Sequence, residues 1–446
     1  MNSRIERSVR QRQARRRGNL VLGALTLVLV VAVGLWLGRG AFGGDGVATD
    51  PPGEASPGAN ATPSTETPET AEPTPEPTVE PESEPVSFTL VTAGDVLPHT
   101  TVNRNAQQAD GSYDYVPMME NVRAYIEGAD IALCSLEVPL APEGEAISAY
   151  PVFGAPADLI TSLKEIGWDG CATATNHSLD RGRAGVARTI DVMDEVGLGR
   201  AGTGRSAEEA ASAQFYEVER DGASFTLAHL SATTFHNDYT NPADFADAVA
   251  PLVTAQPIID LAREAREAGA DVVVFTPHWG QEYWKETDAL QREISQDLAD
   301  SGMVDVVMGG HAHVPQPSLK LDGGADGRGM WVAYSMGNFL SNQDENCCDI
   351  TTSTGQMPRV TIVVDGDDVY VDGFTWSGNM VDTQGGQQLN PIHSLLEGGR
   401  PEGLTLTTER ISARWEAMEA ILGTDQHDPS LPATGGATVT VIPRSE

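Results

Sequence analysis

From Phe88 onward the chain alternates between two hydrophobic periodicities. Short apolar runs close on small or polar residues: FTLVTAGD (88–95), ADIALCSLE (129–137), DGCATATNH (169–177), ADVVVFTPH (270–278), VDVVMGGHAH (304–313) and MWVAYSMGN (330–338). Runs this short, bounded by Gly, Asp and Asn, read as buried strands. Between them, 156–166, 185–196, 256–268 and 288–301 space their apolar residues three and four apart, which predicts amphipathic helices. Strand–helix alternation of this kind predicts an α/β layered fold around a buried sheet. Residues 358–376 switch to period two around Asp365-Gly366-Asp367, a hairpin signal. After Ser377 the pattern turns loop-like, with one amphipathic helix at about 407–422. The expected division is thus a body at 87–377 followed by a loosely attached extension at 378–446.

The front of the chain follows other rules. Residues 19–38 (NLVLGALTLVLVVAVGLWLG) hold no charge, and as a helix they reach roughly 30 Å, the thickness of a bilayer core. Seven arginines precede this stretch within 1–18, so the positive-inside rule keeps the N-terminus in the cytoplasm and exports the rest. The apolar stretch is longer than a signal-peptide core and no A-x-A site follows it, so a retained single-pass anchor is expected in preference to a cleaved signal. Residues 39–86 then form a Pro/Thr/Glu-rich tether. Between Gly44 and Val86 it carries ten acids and no base, too little apolar surface to offset the entropy of ordering.

Charge narrows the function. Residues 87–446 carry 20 basic against 53 acidic side chains, a formal −33. Such a surface repels phosphate backbones, which excludes a nucleic-acid binder. Four cysteines without a CxxC spacing make neither a disulfide scaffold nor a thiolate zinc site. Cys134 and Cys171, inside apolar runs, read as small inert core residues. Cys347 and Cys348 are adjacent in a polar loop, where an oxidising exterior permits a vicinal bond.

The polar residues concentrate in one kind of place. Asp95, Glu137, Asn176 with His177, His278, and His311 with His313 all stand at the C-terminal ends of apolar runs. In α/β sheets ligands bind outside the carboxyl ends of the strands. Carboxylates, an amide and imidazoles gathered there make an oxygen- and nitrogen-rich set suited to one or two divalent manganese, iron or zinc ions.

Six motifs in order carry a family resemblance: AGDV (93–96), SLEVPL (135–140), ATNHSLDRG (174–182), PHWGQE (277–282), GGHAHVPQP (309–317) and YSMGNF (334–339). With these the chain resembles the CapA family of bacterial capsule-synthesis proteins, associated with poly-γ-glutamate, and through it the calcineurin-like metallophosphoesterases. The resemblance implies a four-layer αββα sandwich and a two-metal site. Asp95 and His313 would hold one ion, Asn176, His278 and His311 the other, and Glu137 would bridge them. His177 would be left free to act on substrate as the catalytic group. The implied partners are an anionic capsule polymer or a phosphoester substrate, and other capsule-synthesis membrane proteins. The chain departs from the phosphoesterase pattern at the first strand, where Val96 and Leu97 replace the usual x-His after Asp95. That leaves the Asp95/His313 site one ligand short unless His99, otherwise a loop histidine, or water fills the gap. Glu282 reads as a residue that orients His278 or steadies a helix start, Asp180 and Arg181 as braces of their turn, and Asn338 as a turn residue.

Three patterns do not carry function. GLGRAG (197–202) follows a helix instead of joining a strand to one, so it is no dinucleotide loop. AYSMG (333–337) lacks the first glycine of a nucleophile elbow. LPATG (431–435) spells a sortase signal, but only a short polar stretch follows it.

Overall fold

The computed structural model describes residues 84–444, apart from 239 and 434. The expected cytoplasmic segment, membrane span and nearly all of the tether lie outside them. Among the described residues no helix is long and apolar enough to cross a membrane.

Among the described residues, fifteen strands form. The first five are β1 (Val86–Val96), β2 (Ile131–Leu136), β3 (Gly170–Ala172), β4 (Gly199–Ala201) and β5 (Gln214–Arg220). Next come β6 (Ala223–Thr233), β7 (Val272–His278), β8 (Val306–Met308), β9 (Ser318–Leu321) and β10 (Met330–Ala333). The last are β11 (Asn338–Leu340), β12 (Thr354–Asp365), β13 (Asp368–Asp382), β14 (Gln388–Pro391) and β15 (Thr438–Val441). One sheet has the order β14-β13-β12-β1-β2-β3-β4, with β11 beside the end of β1; the other runs β15-β5-β6-β7-β8-β10-β9. In the first, β1 to β4 are parallel; in the second, β6, β7, β8 and β10 are.

Period-two alternation stacks these sheets. Phe88 and Leu90 of β1 and Ile131 and Leu133 of β2 meet Val272 and Val274 of β7 and Val306 and Met308 of β8 in one inter-sheet core. The intervening residues face outward. Val91, Ala132 and Cys134 pack under the helix Asp158–Ile166, through Leu159, Ile160 and Leu163. Val273, Phe275 and Val307 pack under the helices Gln256–Glu267 and Ala289–Ser301, through Ile258, Ala262, Ile294 and Leu298. The result is four layers, helix–sheet–sheet–helix, as expected for strands buried on both faces. The helix at 289–301 starts where the sequence placed it, on a capping box of Asp288 and Gln291.

Two expectations are corrected. No break follows Ser377: β13 continues to Asp382, where it pairs with β14. Further on, β15 pairs with β5 of the other sheet, and the Arg444 guanidinium donates to the Arg200, Thr203 and Ser212 carbonyls. Residues 378–444 are therefore part of the body. Cys134 and Cys171 are directly opposed in the β2–β3 register and are joined as a disulfide, not left as free apolar fillers. Cys347 and Cys348 form the vicinal bond that the sequence permits.

The helix Thr408–Leu422 is held by a charge pair that makes a testable prediction. Arg414 is fully buried, and its guanidinium donates to Glu345 at 2.9 Å and to the Val381 carbonyl at 3.2 Å. Burial pushes the Glu345 carboxyl up, but hydrogen bonds from its backbone, Arg410 and Arg414 outweigh it and hold the pKa at about 2. Because the folded pKa lies below the unfolded one, the stabilisation is present above pH ~4.5 and is lost as pH falls toward 2. Glu345→Gln is expected to cost about 1–2 kcal/mol at neutral pH, the low end for stripping a buried cation of its partner because Glu345 itself meets solvent. It should also flatten the acid limb of the stability curve. Urea melts of both proteins from pH 7 to 3 check this; parallel curves would show that the pair contributes nothing.

Candidate metal centre

The parallel strands of both sheets end on one side of the sandwich, and the predicted residues gather there. Asp95 lies at the end of β1 and Glu137 directly follows β2; Asn176 and His177 occupy the loop after β3. The second sheet brings His278, the last residue of β7, and the loop after β8 brings His311 and His313. Close backbone approach lets β1 reach this point. The Asp95 amide donates to the Gly337 carbonyl at 3.0 Å, and a Cβ on Gly94 would collide with that carbonyl. His311 and His313 both adopt positive φ, 88° and 58°. Left-handed backbone at two non-glycine residues costs of order 1–3 kcal/mol each, strain that persists at functional sites.

Two groups of side chains share one carboxylate. Glu137, His278 and His311 form the first, and Asp95, Glu137 and His313 the second, each with candidate ligand atoms within 4.8 Å of one another. In the first, His278 Nε2 lies 2.8 Å from Asn176 Oδ1, 3.1 Å from His311 Nδ1 and 3.7 Å from Glu137 Oε1. Ligand atoms about 2.1 Å from a common ion stand about 3–3.4 Å apart, so this convergence is the spacing that an ion requires. In the second, His313 Nδ1 is 3.4 Å from Asp95 Oδ2, and its Nε2 is 3.6 Å from Glu137 Oε1.

Glu137 is the telling residue. It is fully buried, and neither carboxylate oxygen has a hydrogen-bond partner. Burial drives its pKa well above the ordinary carboxylate range, against the pull of His313. A charged group buried without partners costs several kcal/mol, and a cation on each side removes that cost. The backbone also packs close here: a Cβ on Gly310 would stand 2.7 Å from Asp95 Oδ1. The residues present therefore fit a pair of divalent cations, with Glu137 between them.

The three imidazoles divide: two are held neutral, and the third is held protonated by the carboxylates beside it. Burial, then the charges of the other imidazoles, push His278 and His311 well below the ordinary histidine value, keeping them neutral as ligands must be. Burial lowers His313 too, but Glu137 and Asp95 overcome it and raise the pKa to about 10. Asp95 is oriented by Ser135 Oγ at 3.0 Å and by the His311 amide at 3.1 Å. Ser135 thus fixes a ligand.

His177 stands apart from both groups, on the wall of a cleft of about 490 Å³ that opens over them. Its Nδ1 is 2.6 Å from Asp180 Oδ2, which leaves Nε2 as the ring nitrogen available to a ligand. Asp180 does more than brace a turn, since it also accepts the Phe153 amide. Other expectations need correction. Asn338 is no mere turn residue: fully buried, its Oδ1 stands 3.0 Å from His313 Nδ1 while its amide donates to Gln343 and the Thr352 carbonyl. Glu282 does not orient His278, whose Nε2 faces Asn176 and His311; it is exposed on the cleft wall. His99 lines the cleft outside both groups, kept neutral by burial and by His313, with its pKa lowered to about 4. Asn237, from a loop with no readable motif, was missed; its amide reaches His177 Nδ1 at 3.2 Å and Asp180 Oδ1 at 3.3 Å.

Comparison with known proteins agrees with the motifs. Residues 89–343, more than half of the chain, match the family described as bacterial capsule synthesis protein PGA_cap. Capsule biosynthesis protein CapA of Bacillus anthracis is 24% identical over 260 residues, covering 57% of this chain and 60% of that protein. PGA biosynthesis protein CapA of Bacillus subtilis (strain 168) is 26% identical over 257 residues, covering 56% and 62%. The chain thus spans about three fifths of the relatives it matches. The calcineurin-like phosphoesterase YfkN of Bacillus subtilis overlaps 75% of this chain and 97% of its own, at 10% identity and a TM-score of 0.38, too slight an overlap to bear on function. The six motifs and the matched segment coincide, and the chain belongs to the bacterial capsule synthesis family PGA_cap.

Proposed function

We propose that this protein is a metal-dependent hydrolase that acts in the synthesis, export or processing of a capsule polymer of the poly-γ-glutamate type. In this reading residues 19–38 anchor it in the cell membrane, the N-terminus stays in the cytoplasm, and 39–86 hold the body away from the outer face. The observation that carries the reading is the buried Glu137 carboxylate, with no hydrogen bond to either oxygen, set between two groups of imidazole and carboxylate donors.

Asp95, Glu137 and His313 would hold one divalent ion; Glu137, Asn176, His278 and His311 would hold the other. Bound there, such ions supply Lewis acidity and make water nucleophilic near neutral pH. The chain's own residues do the rest. His177 Nε2 would deliver a proton to the departing oxygen or nitrogen from the doubly protonated ring, and Asp180, accepting from Nδ1–H at 2.6 Å, stabilises that imidazolium and fixes its orientation. The Asn237 amide fixes the pair from the opposite side. What favours catalysis over a passive scaffold is this held imidazole, because a purely structural metal site has no use for one. The alternative reading, a generic envelope phosphoesterase, uses the same groups on a different bond.

Complementation tests the reading. A host lacking its own copy should make normal surface polymer with the wild type and little with His278→Ala, and purified wild type should cut a phosphodiester, a phosphomonoester or a γ-glutamyl oligomer when manganese is added. Normal polymer from His278→Ala, with none of the three substrates cut, would overturn it.

A further inference from the structure

The cleft above the metal centre has a lining that is unusual for a site expected to meet a polyanion. Among the described residues, no lysine or arginine lines it. Lys285, two residues from the lining Tyr283, is committed to Asp349 at 2.9 Å, and Arg181 to Glu145. Exposed Glu282 adds a negative charge to the wall, and the body around it carries a formal −33. A chain of free carboxylates entering this space would find no partner outside the metal centre and would be repelled on the way in.

Neutral groups fill the lining instead. Asn237, Asn342 and Gln343 offer amide donors and acceptors, and Tyr150 and Tyr283 stand over the mouth. Tyr150 is 75% exposed and Tyr283 37%, with Trp284 beside it at 56%. The Tyr283 hydroxyl accepts from Gln343 at 3.3 Å. Large aromatic rings left in water at the rim of a cleft mark a binding surface. The wall rings stand edge to face, Tyr150 on Phe153 at 71° and Phe153 on His177 at 83°, so they form no parallel slot for a flat base.

We propose that the outer cleft is a subsite for a neutral, hydroxyl-rich ring, a glycosyl unit, carried on Tyr150 and Tyr283 and hydrogen-bonded by Asn237, Asn342 and Gln343. The bond presented to the metal centre is then one between a sugar and phosphate, not an amide within a polyglutamate chain. The inference rests on the metal-dependent hydrolase part of that reading and, within it, favours the envelope-phosphoesterase alternative over a polyglutamate bond.

Titration calorimetry on the full-length, manganese-loaded His177→Ala protein, which should turn over slowly, separates the two. The probes are inorganic phosphate, glucose 1-phosphate, adenosine monophosphate and γ-glutamyl triglutamate. Glucose 1-phosphate is expected to bind about tenfold tighter than phosphate, the scale of one good aromatic contact. Adding Tyr150→Ala or Tyr283→Ala should remove most of that advantage and leave the phosphate Kd unchanged, while Tyr283→Phe should keep it. Tighter binding of triglutamate or of adenosine monophosphate, or a glucose preference indifferent to both alanine variants, would overturn the subsite while leaving the metal centre intact. Metal-loaded protein that binds no phosphate at all would overturn the hydrolase reading, and the subsite with it.

Discussion

Glu137→Gln is expected to strip the protein of most of its metal and, in the same step, to leave the metal-free form as stable as the wild type or more so. Two opposite effects meet at this side chain. With ions bound, the carboxylate is the one group common to both donor sets, and an amide in its place can neither bridge nor neutralise. Without ions, the same carboxylate is a buried group with no hydrogen-bond partner for either oxygen, so a neutral amide of like shape removes a burden. Elemental analysis should show about two ions per wild-type chain and fewer than about one in the variant. Thermal melts should show added metal raising wild-type stability by about 3 kcal/mol at a hundredfold excess over Kd, with little rise in the variant. A variant equally metal-rich, or unstable in chelator, would mean that Glu137 is a structural carboxylate.

The second large effect is kinetic. His177→Ala should keep the wild-type metal content, because the ring belongs to neither donor group. Its turnover should nonetheless fall by about 10²–10⁴-fold, the usual loss when a positioned acid–base group disappears. Asp180→Asn gives the finer test. Asp180 acts through His177, so the neutral side chain should lower kcat and shift the pH profile while KM and metal content hold. An Asp180→Asn protein that simply unfolds would return Asp180 to a bracing role, since it also accepts the Phe153 amide at 2.6 Å. A His177→Ala protein with undiminished turnover would remove the imidazole from the mechanism.

Why the site was legible and other parts were not follows from where each signal resides. Asp95, Glu137, Asn176, His278, His311 and His313 were visible because each ends an apolar run, and strand ends in parallel sheets converge by topology alone. The strands themselves were read too long on that side. β3 stops at Ala172 and β8 at Met308, and Asn176, His177 and His313 beyond them line the cleft. The β5–β6 hairpin went unread, although residues 214–220 alternate and Asp221-Gly222, both at positive φ, make the turn. The C-terminal part carried the least signal, since β15 has four residues and finds its place only against the edge of β5. Asn237 and Asn338 lay beyond reach for another reason. An amide that orients an imidazole from a different loop has no local pattern, only a three-dimensional one.

The central claim is that Glu137 lies between two bound cations. Crystals of the manganese-loaded protein, measured on both sides of the metal's absorption edge, test it directly. Two anomalous peaks are predicted, one among Asp95, Glu137 and His313 and one among Glu137, Asn176, His278 and His311. Loaded crystals with no peak at either place, and an ordered hydrogen-bond partner on each Glu137 oxygen, would contradict it.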